Sequence, residues 1–152
     1  MALQIKTVDV WAGEMQDQSG ALARVLEALA AGGADVDCVI GRRQPDRPGS
    51  GVVFVSPVSG KRAQTAARAA GISPANDIGT LRVEGANKQG LGGRITRAIA
   101  DAGLNLRGVS AATIGNKFVA YFGFDSAADA ARAAAVLKSF DKAGGKKAKR
   151  AR

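Results

Sequence analysis

QSGALARVLEALAAGGADVDCV (residues 18–39) and KQGLGGRITRAIADAGLNLRGV (residues 88–109) are one pattern written twice, 70 residues apart. Gly20 falls on Gly90, Arg24 on Arg94, Ala28 on Ala98, Ala30 on Ala100, Gly33 on Gly103 and Val39 on Val109. Val25 and Ile95, Leu29 and Ile99, and Val36 and Leu106 exchange one apolar side chain for another, and Asp35 is matched by Asn105. Each copy reads as a glycine, an amphipathic helix, a second glycine and an apolar run. Such a period exceeds the roughly 20–50 residues of solenoid repeats and suits two small domains of one fold.

The rest of the chain fits that division. Its 152 residues have room for two such domains, and each alone is small for a hydrophobic core. Leu3, Ile5, Val8 and Val10 alternate as a strand, and a polar loop follows from Glu14 to Ser19. Leu22, Val25, Leu26 and Leu29 fall at helical spacing over residues 21–31, and Gly32-Gly33 ends the helix. A second strand starts near Val36, the loop RRQPDRPGS covers residues 42–50, and residues 52–55 form a third strand. Residues 61–70 read as a second helix and 72–77 as the join between copies.

The order then restarts. A strand covers residues 80–84, a helix 91–102, and a hairpin turning at Gly115-Asn116 joins strands at 105–114 and 118–124. Ser126 caps a last helix that ends near Leu137. No closing strand is legible after it. The fold class is therefore α+β: two ferredoxin-like βαββα(β) plaits in tandem, each an antiparallel sheet with its helices on one face. The domains span residues 1–73 and 74–140, followed by a basic, disordered tail at 141–152.

Charge and composition exclude several classes of function. The net charge is +9, but residues 1–140 hold 16 basic and 12 acidic side chains, while 141–152 hold six and one. The folded part lacks the basic face of a nucleic-acid domain. With no histidine and one cysteine, neither a Ser-His nor a Cys-His nucleophile system can form, and metal ligation has no support. Cys38 reads as a small core residue, and its isolation makes the cytosol the default compartment. Gly90-Leu91-Gly92-Gly93 starts like a dinucleotide-binding loop, yet the last required glycine is Ile95. Ser59-Gly60-Lys61-Arg62 lacks both ends of a phosphate loop. The expectation is a protein without catalysis, cofactor or metal. No apolar run approaches the roughly 20 residues that cross a bilayer, and residues 1–11 do not have the layout of a signal peptide.

A strand, a loop ending in DQSG or NKQG, an amphipathic helix, then AGGADVD or DAGLNLR and a hairpin: over residues 3–140 the chain resembles a tandem pair of ACT domains. Where that family commonly carries proline before the opening glycine, this chain has Ser19 and Gln89. The resemblance implies a regulatory protein that binds an amino acid or similar small metabolite between modules. It also implies a homodimer and a regulated enzyme as partner. It places the ligand at Asp17, Gln18, Ser19, Gly20, Ala21 and Leu22, at Asn87, Lys88, Gln89, Gly90 and Leu91, and beside Asp35 or Asn105.

Physical chemistry agrees with such a place. A glycine admits close backbone approach, and a helix N-terminus offers unpaired N–H groups to a carboxylate. Asp17, Asp35, Asn87 and Asn105 are read as lying at the same end of each unit, able to receive an ammonium. Against this, the glycines also serve as turn residues and the Asp and Asn as caps. A rival reading is an RNA-recognition plait, which would stack bases on the aromatic strand KFVAYFGF (residues 117–124). Alternation puts Phe118, Phe122 and Phe124 on one face, where a core beneath the helices accounts for them. A third reading is assembly alone, through exposed sheet edges.

Overall fold

A computed structural model describes residues 2–150, the side chains of 145–150 excepted. The chain forms eight strands and four helices among these residues: β1 (Gln4–Val8), β2 (Trp11–Gln16), α1 (Ala21–Ala31), β3 (Cys38–Arg43), β4 (Ser50–Ser56), α2 (Lys61–Ala69), β5 (Ser73–Pro74), β6 (Gly79–Ala86), α3 (Leu91–Asp101), β7 (Gly108–Ile114), β8 (Lys117–Phe124) and α4 (Ala127–Arg150). They divide into two compact units, one of Asp9–Asn76 and one of Met1–Val8 with Asp77–Arg152.

In the first unit an antiparallel sheet runs β3-β4-β2-β5. Trp11, Val53, Val55 and Ile72 meet Val25 and Leu29 of α1 and Ala63 and Ala67 of α2 in one core. Trp11 pairs with Val55 and Gly13 with Val53 across the ladder. Gly13 lacks a side chain for a steric reason, since a Cβ there would strike the carbonyl of Gly71 and the side chain of Ile72. The expected polar loop from Glu14 is therefore corrected: β2 continues to Gln16. Glycine at an inward position hid the alternation of Trp11 and Met15, and pairing with β4 settles the conformation.

The second unit has the order β1-β6-β8-β7, again antiparallel. Counted from β6, this is the same arrangement as in Asp9–Asn76, with β1 in the place of β5. The alternating residues at 3–10 are thus not one strand of the first plait. Residues 4–8 pair with β6, Ile5 opposite Val83, and Leu3 and Ile5 pack against that unit's core. The units are nested rather than consecutive, and the boundary expected at 73/74 gives way to boundaries at 8/9 and 76/77. The missing closing strand after Leu137 has the same explanation, because its place is filled from residues before the first unit.

Phe118, Phe122 and Phe124 are buried with Leu81, Ile95, Ile99 and Leu137. Rings enclosed this way cannot stack on bases, so the RNA-recognition reading is set aside. The Ser126 cap is present, its Oγ accepting the Asp129 N–H at 3.0 Å. The helix does not stop near Leu137, however: α4 runs to Arg150. Alanine and lysine are good helix formers. An established helix propagates through Gly144-Gly145 at a cost of about 1 kcal/mol per glycine relative to alanine. Ala151, Arg152 and the side chains of 145–150 lie outside the described residues.

Candidate functional site

The two glycine turns are alike bond by bond. At α1 the Ala21 N–H donates to the Gln18 carbonyl (3.2 Å) and the Arg24 N–H to that of Gly20 (3.0 Å); at α3 Leu91 donates to Lys88 (3.0 Å) and Arg94 to Gly90 (3.1 Å). Gly20 has φ 83° and ψ −5°, and Gly90 has φ 74° and ψ 5°. These values belong to the third residue of a type II turn, which needs glycine or asparagine. A Cβ on Gly90 would meet nothing within 4 Å, so backbone conformation and not crowding selects glycine there. No side chain caps either helix. The N–H groups of Leu22 and Ala23 have no acceptor within α1, as for any first turn.

The helix exits match as well. Gly33 donates to Ala30 and Ala34 to Leu29, as Gly103 does to Ala100 and Leu104 to Ile99. Over residues 21–30 and 91–100 the sequence of buried, half-buried and exposed positions is identical.

Not all the expected site residues come together. Asp35 and Asn105 follow the C-terminal ends of α1 and α3, whereas the turns open the N-terminal ends. An 11-residue helix separates them, about 15 Å at 1.5 Å per residue. Their expected position beside the glycines of the same copy is therefore corrected; the strand that follows each helix starts at the far end. Asn105 Oδ1 accepts the Leu106 N–H at 3.0 Å, a local turn bond. Asp17 is committed to Arg43, whose Nε lies 2.9 Å from Oδ2. Asn87 donates its N–H to the Asn116 carbonyl at 2.8 Å. Gln18, Ser19, Lys88 and Gln89 are exposed, while Ala21 and Leu91 are buried and Leu22 packs partly against the core.

Sequence reasoning missed a groove within the Asp9–Asn76 unit. A cavity of about 470 Å³ lies between β2, α1 and α2, adjoining the turn through Ala21. It is lined by Met15, Ala21 and Val25, by Ala66, Ala69 and Ala70, and by the charged Glu14 and Arg24. Glu14 pairs with Arg47. Arg24 is exposed and has no ion pair among the described residues. The available signal was KRAQTAARAA (residues 61–70), where alanines at 66, 69 and 70 share one helix face. Among the described residues no cluster of three or more His, Cys, Asp or Glu is placed to hold a metal. Among the described residues no helix is long and apolar enough to cross a membrane.

No protein-family model and no curated protein sequence matches the chain. Solved structures do. The protein BT0572 from Bacteroides thetaiotaomicron is similar with a TM-score of 0.74 at 12% identity, over 90% of each chain. The ligand-free regulatory subunit of aspartate kinase from Thermus thermophilus is similar with a TM-score of 0.61 at 21% identity, over 91% of this chain and 94% of that one. E. coli aspartokinase III in complex with lysine and aspartate is similar with a TM-score of 0.56 at 14% identity, over 91% of this chain and 32% of that one. The fold is thus α+β and ACT-like, of the ferredoxin type found in aspartate kinase regulatory domains.

Proposed function

We propose that the chain is a non-catalytic regulatory protein that binds an amino acid at the turn opening α1 and signals its presence to an enzyme partner. The observation that carries this reading is a groove of about 470 Å³ with opposite charges and small side chains in its lining. A ligand carboxylate would meet Arg24 and the N–H groups of Leu22 and Ala23, and an ammonium would meet Glu14. Alanines leave room for a side chain of modest size. Ala21 lines the groove, and Asp17, Gln18, Ser19 and Gly20 precede it in the turn that opens α1. Residues 87–91 of the α3 turn are the second place the same reading puts a ligand. Likeness to a regulatory subunit of aspartate kinase, and to about a third of an aspartokinase III solved with lysine and aspartate, supports a regulatory role. The proposed setting is cytoplasmic.

Thermal unfolding in the presence of each common amino acid tests the proposal. One or a few should raise the melting temperature; a ligand at 100 times its Kd adds about 2.7 kcal/mol to stability. Ala21→Leu, which gives α1 the residue α3 carries, should fill the groove and abolish the shift. No shift across the set, or an equal shift in the variant, defeats the reading.

Homodimerisation is supported by a separate feature. All seven residues of β7 are exposed, Val109 at 57% and Ile114 at 71%, on an uncharged edge strand. Such an edge is a template for pairing with a second copy. Light scattering at micromolar concentration should then return twice the chain mass.

A further inference from the structure

The groove beside the opening turn of α1 joins a cation to an apolar lining. Arg24 folds back over that turn: its Nη1 lies 3.4 Å from the point a Cβ on Gly20 would occupy. The guanidinium therefore stands at the end of α1 where the N–H groups of Leu22 and Ala23 lack acceptors within the helix. Apart from Glu14, Gln16 and Arg24, the lining consists of Met15, Val25 and five alanines. Along α1 it reaches from Ala21 to Ala28, about 10 Å of helix axis at 1.5 Å per residue. Glu14 already shares its carboxylate with Arg47.

We propose that the amino acid bound in this groove carries an aliphatic side chain and not a charged one. The inference rests on the amino-acid reading above and adds the class of ligand to it. In that reading Arg24 holds the α-carboxylate and Glu14 the α-ammonium, so the lining has no charge left for a side chain. A second ammonium or carboxylate among the alanines would lose water without gaining a partner. An aliphatic chain carries no such penalty, and each methylene taken from water favours binding. Met15 suits such a chain, because a thioether adapts to irregular apolar shapes. Its methyl group lies over the sheet, 3.3 Å from where a Cβ on Gly51 would sit. No aromatic residue lines the groove, so nothing there selects a ring by stacking.

Calorimetric titration of the full chain with alanine, 2-aminobutyrate, norvaline and norleucine, a series lengthened by one methylene at a time, tests the proposal. Affinity should rise about fourfold per step. Lysine is norleucine with a terminal ammonium added. It and aspartate should each bind at least roughly tenfold more weakly than norleucine. Ala69 is exposed in the last turn of α2, where Ala69→Asp places a carboxylate in the lining without disturbing the core. That variant should lose norleucine affinity by about tenfold or more. The methylene series needs no variant, so a folding defect does not decide the matter. The proposal is overturned if lysine or aspartate binds as tightly as norleucine, or if affinity is flat along the series. It is equally overturned if Ala69→Asp binds norleucine as the parent does. Each of these results leaves amino-acid binding itself in place, whereas binding of none of the six compounds removes the reading on which the proposal rests.

Discussion

Ala21 and Leu91 occupy the same position in two copies of one turn, and both are buried, yet the surroundings they create differ. The copies share their opening glycine, their hydrogen bonds and their order of buried positions. Beside the smaller residue a groove lies between α1 and α2; Leu91 instead joins Ile95 and Leu137 in a core cluster. The shared features set backbone conformation, and the unshared side chains determine whether the same turn has space beside it. A repeat found in sequence therefore identifies the scaffold but not the space beside each copy of the turn.

The sharpest way to break the comparison is through the closing strands. In Asp9–Asn76 the fourth strand is the two-residue β5, which follows α2 directly. In the other unit it is the five-residue β1, which precedes the inserted unit. Deleting residues 1–8 should remove that ladder and the partly buried Leu3 and Ile5. The expected cost is about 3 kcal/mol, in the unit containing β6. Trp11 is the chain's one tryptophan and Tyr121 its one tyrosine, so each reports on a different unit. Denaturant unfolding should show the Tyr121 signal destabilised more than the Trp11 signal. The reverse result would return β1 to the first plait and restore the consecutive arrangement.

A smaller effect examines what the two turns have in common. Gly20→Ala and Gly90→Ala should each cost about 1–2 kcal/mol, the penalty for a left-handed conformation in a residue with a Cβ. Open space around Gly90 means that no clash adds to the penalty, and Gly20 meets only the tip of Arg24 at 3.4 Å. Equal costs would show that the turns are energetically as well as geometrically alike. A Gly20 variant that loses much more than its counterpart would point to a further constraint at α1. Denaturant midpoints of both variants decide this.

The first three helices, their glycine boundaries and the strands β3, β4, β6, β7 and β8 were legible because they rest on local rules. Leu22, Val25 and Leu29 recur at helical spacing, and Gly33 and Gly103 sit where the chain turns left-handed. The partner of β1 was not legible. Alternation at Leu3, Ile5 and Val8 says that a strand exists, but pairing with Val83 and Glu84 depends on contacts about 80 residues away. β2 was obscured by Gly13, whose small size reflects the approach of Gly71 and not a loop. In the candidate site, the turns were legible from glycine alone. The distance of Asp35 and Asn105 from the turns was not legible from residue type, because the length of the helix between them sets it. The groove was invisible because its wall is made of alanines on α2, which read as ordinary helix formers.

The smallest expected effect concerns the second helices. α2 has 9 residues and is followed by Gly71 at φ 82°, whereas α4 has 24. If length beyond the sheet contributed to the core, shortening α4 would destabilise the unit it belongs to. Ala130, Ala133 and Leu137 are enclosed, and among the described residues Phe140 is the last that packs against the core. Truncation after Lys142 retains every one of these contacts. Stability should therefore change by less than about 0.5 kcal/mol, the usual scale for surface changes away from packed features. A loss of about 2 kcal/mol or more is the size expected from buried contacts, and would mean that the last turns of α4 help hold the fold. An unchanged denaturation midpoint would leave those turns available to bind another molecule without loosening the plait.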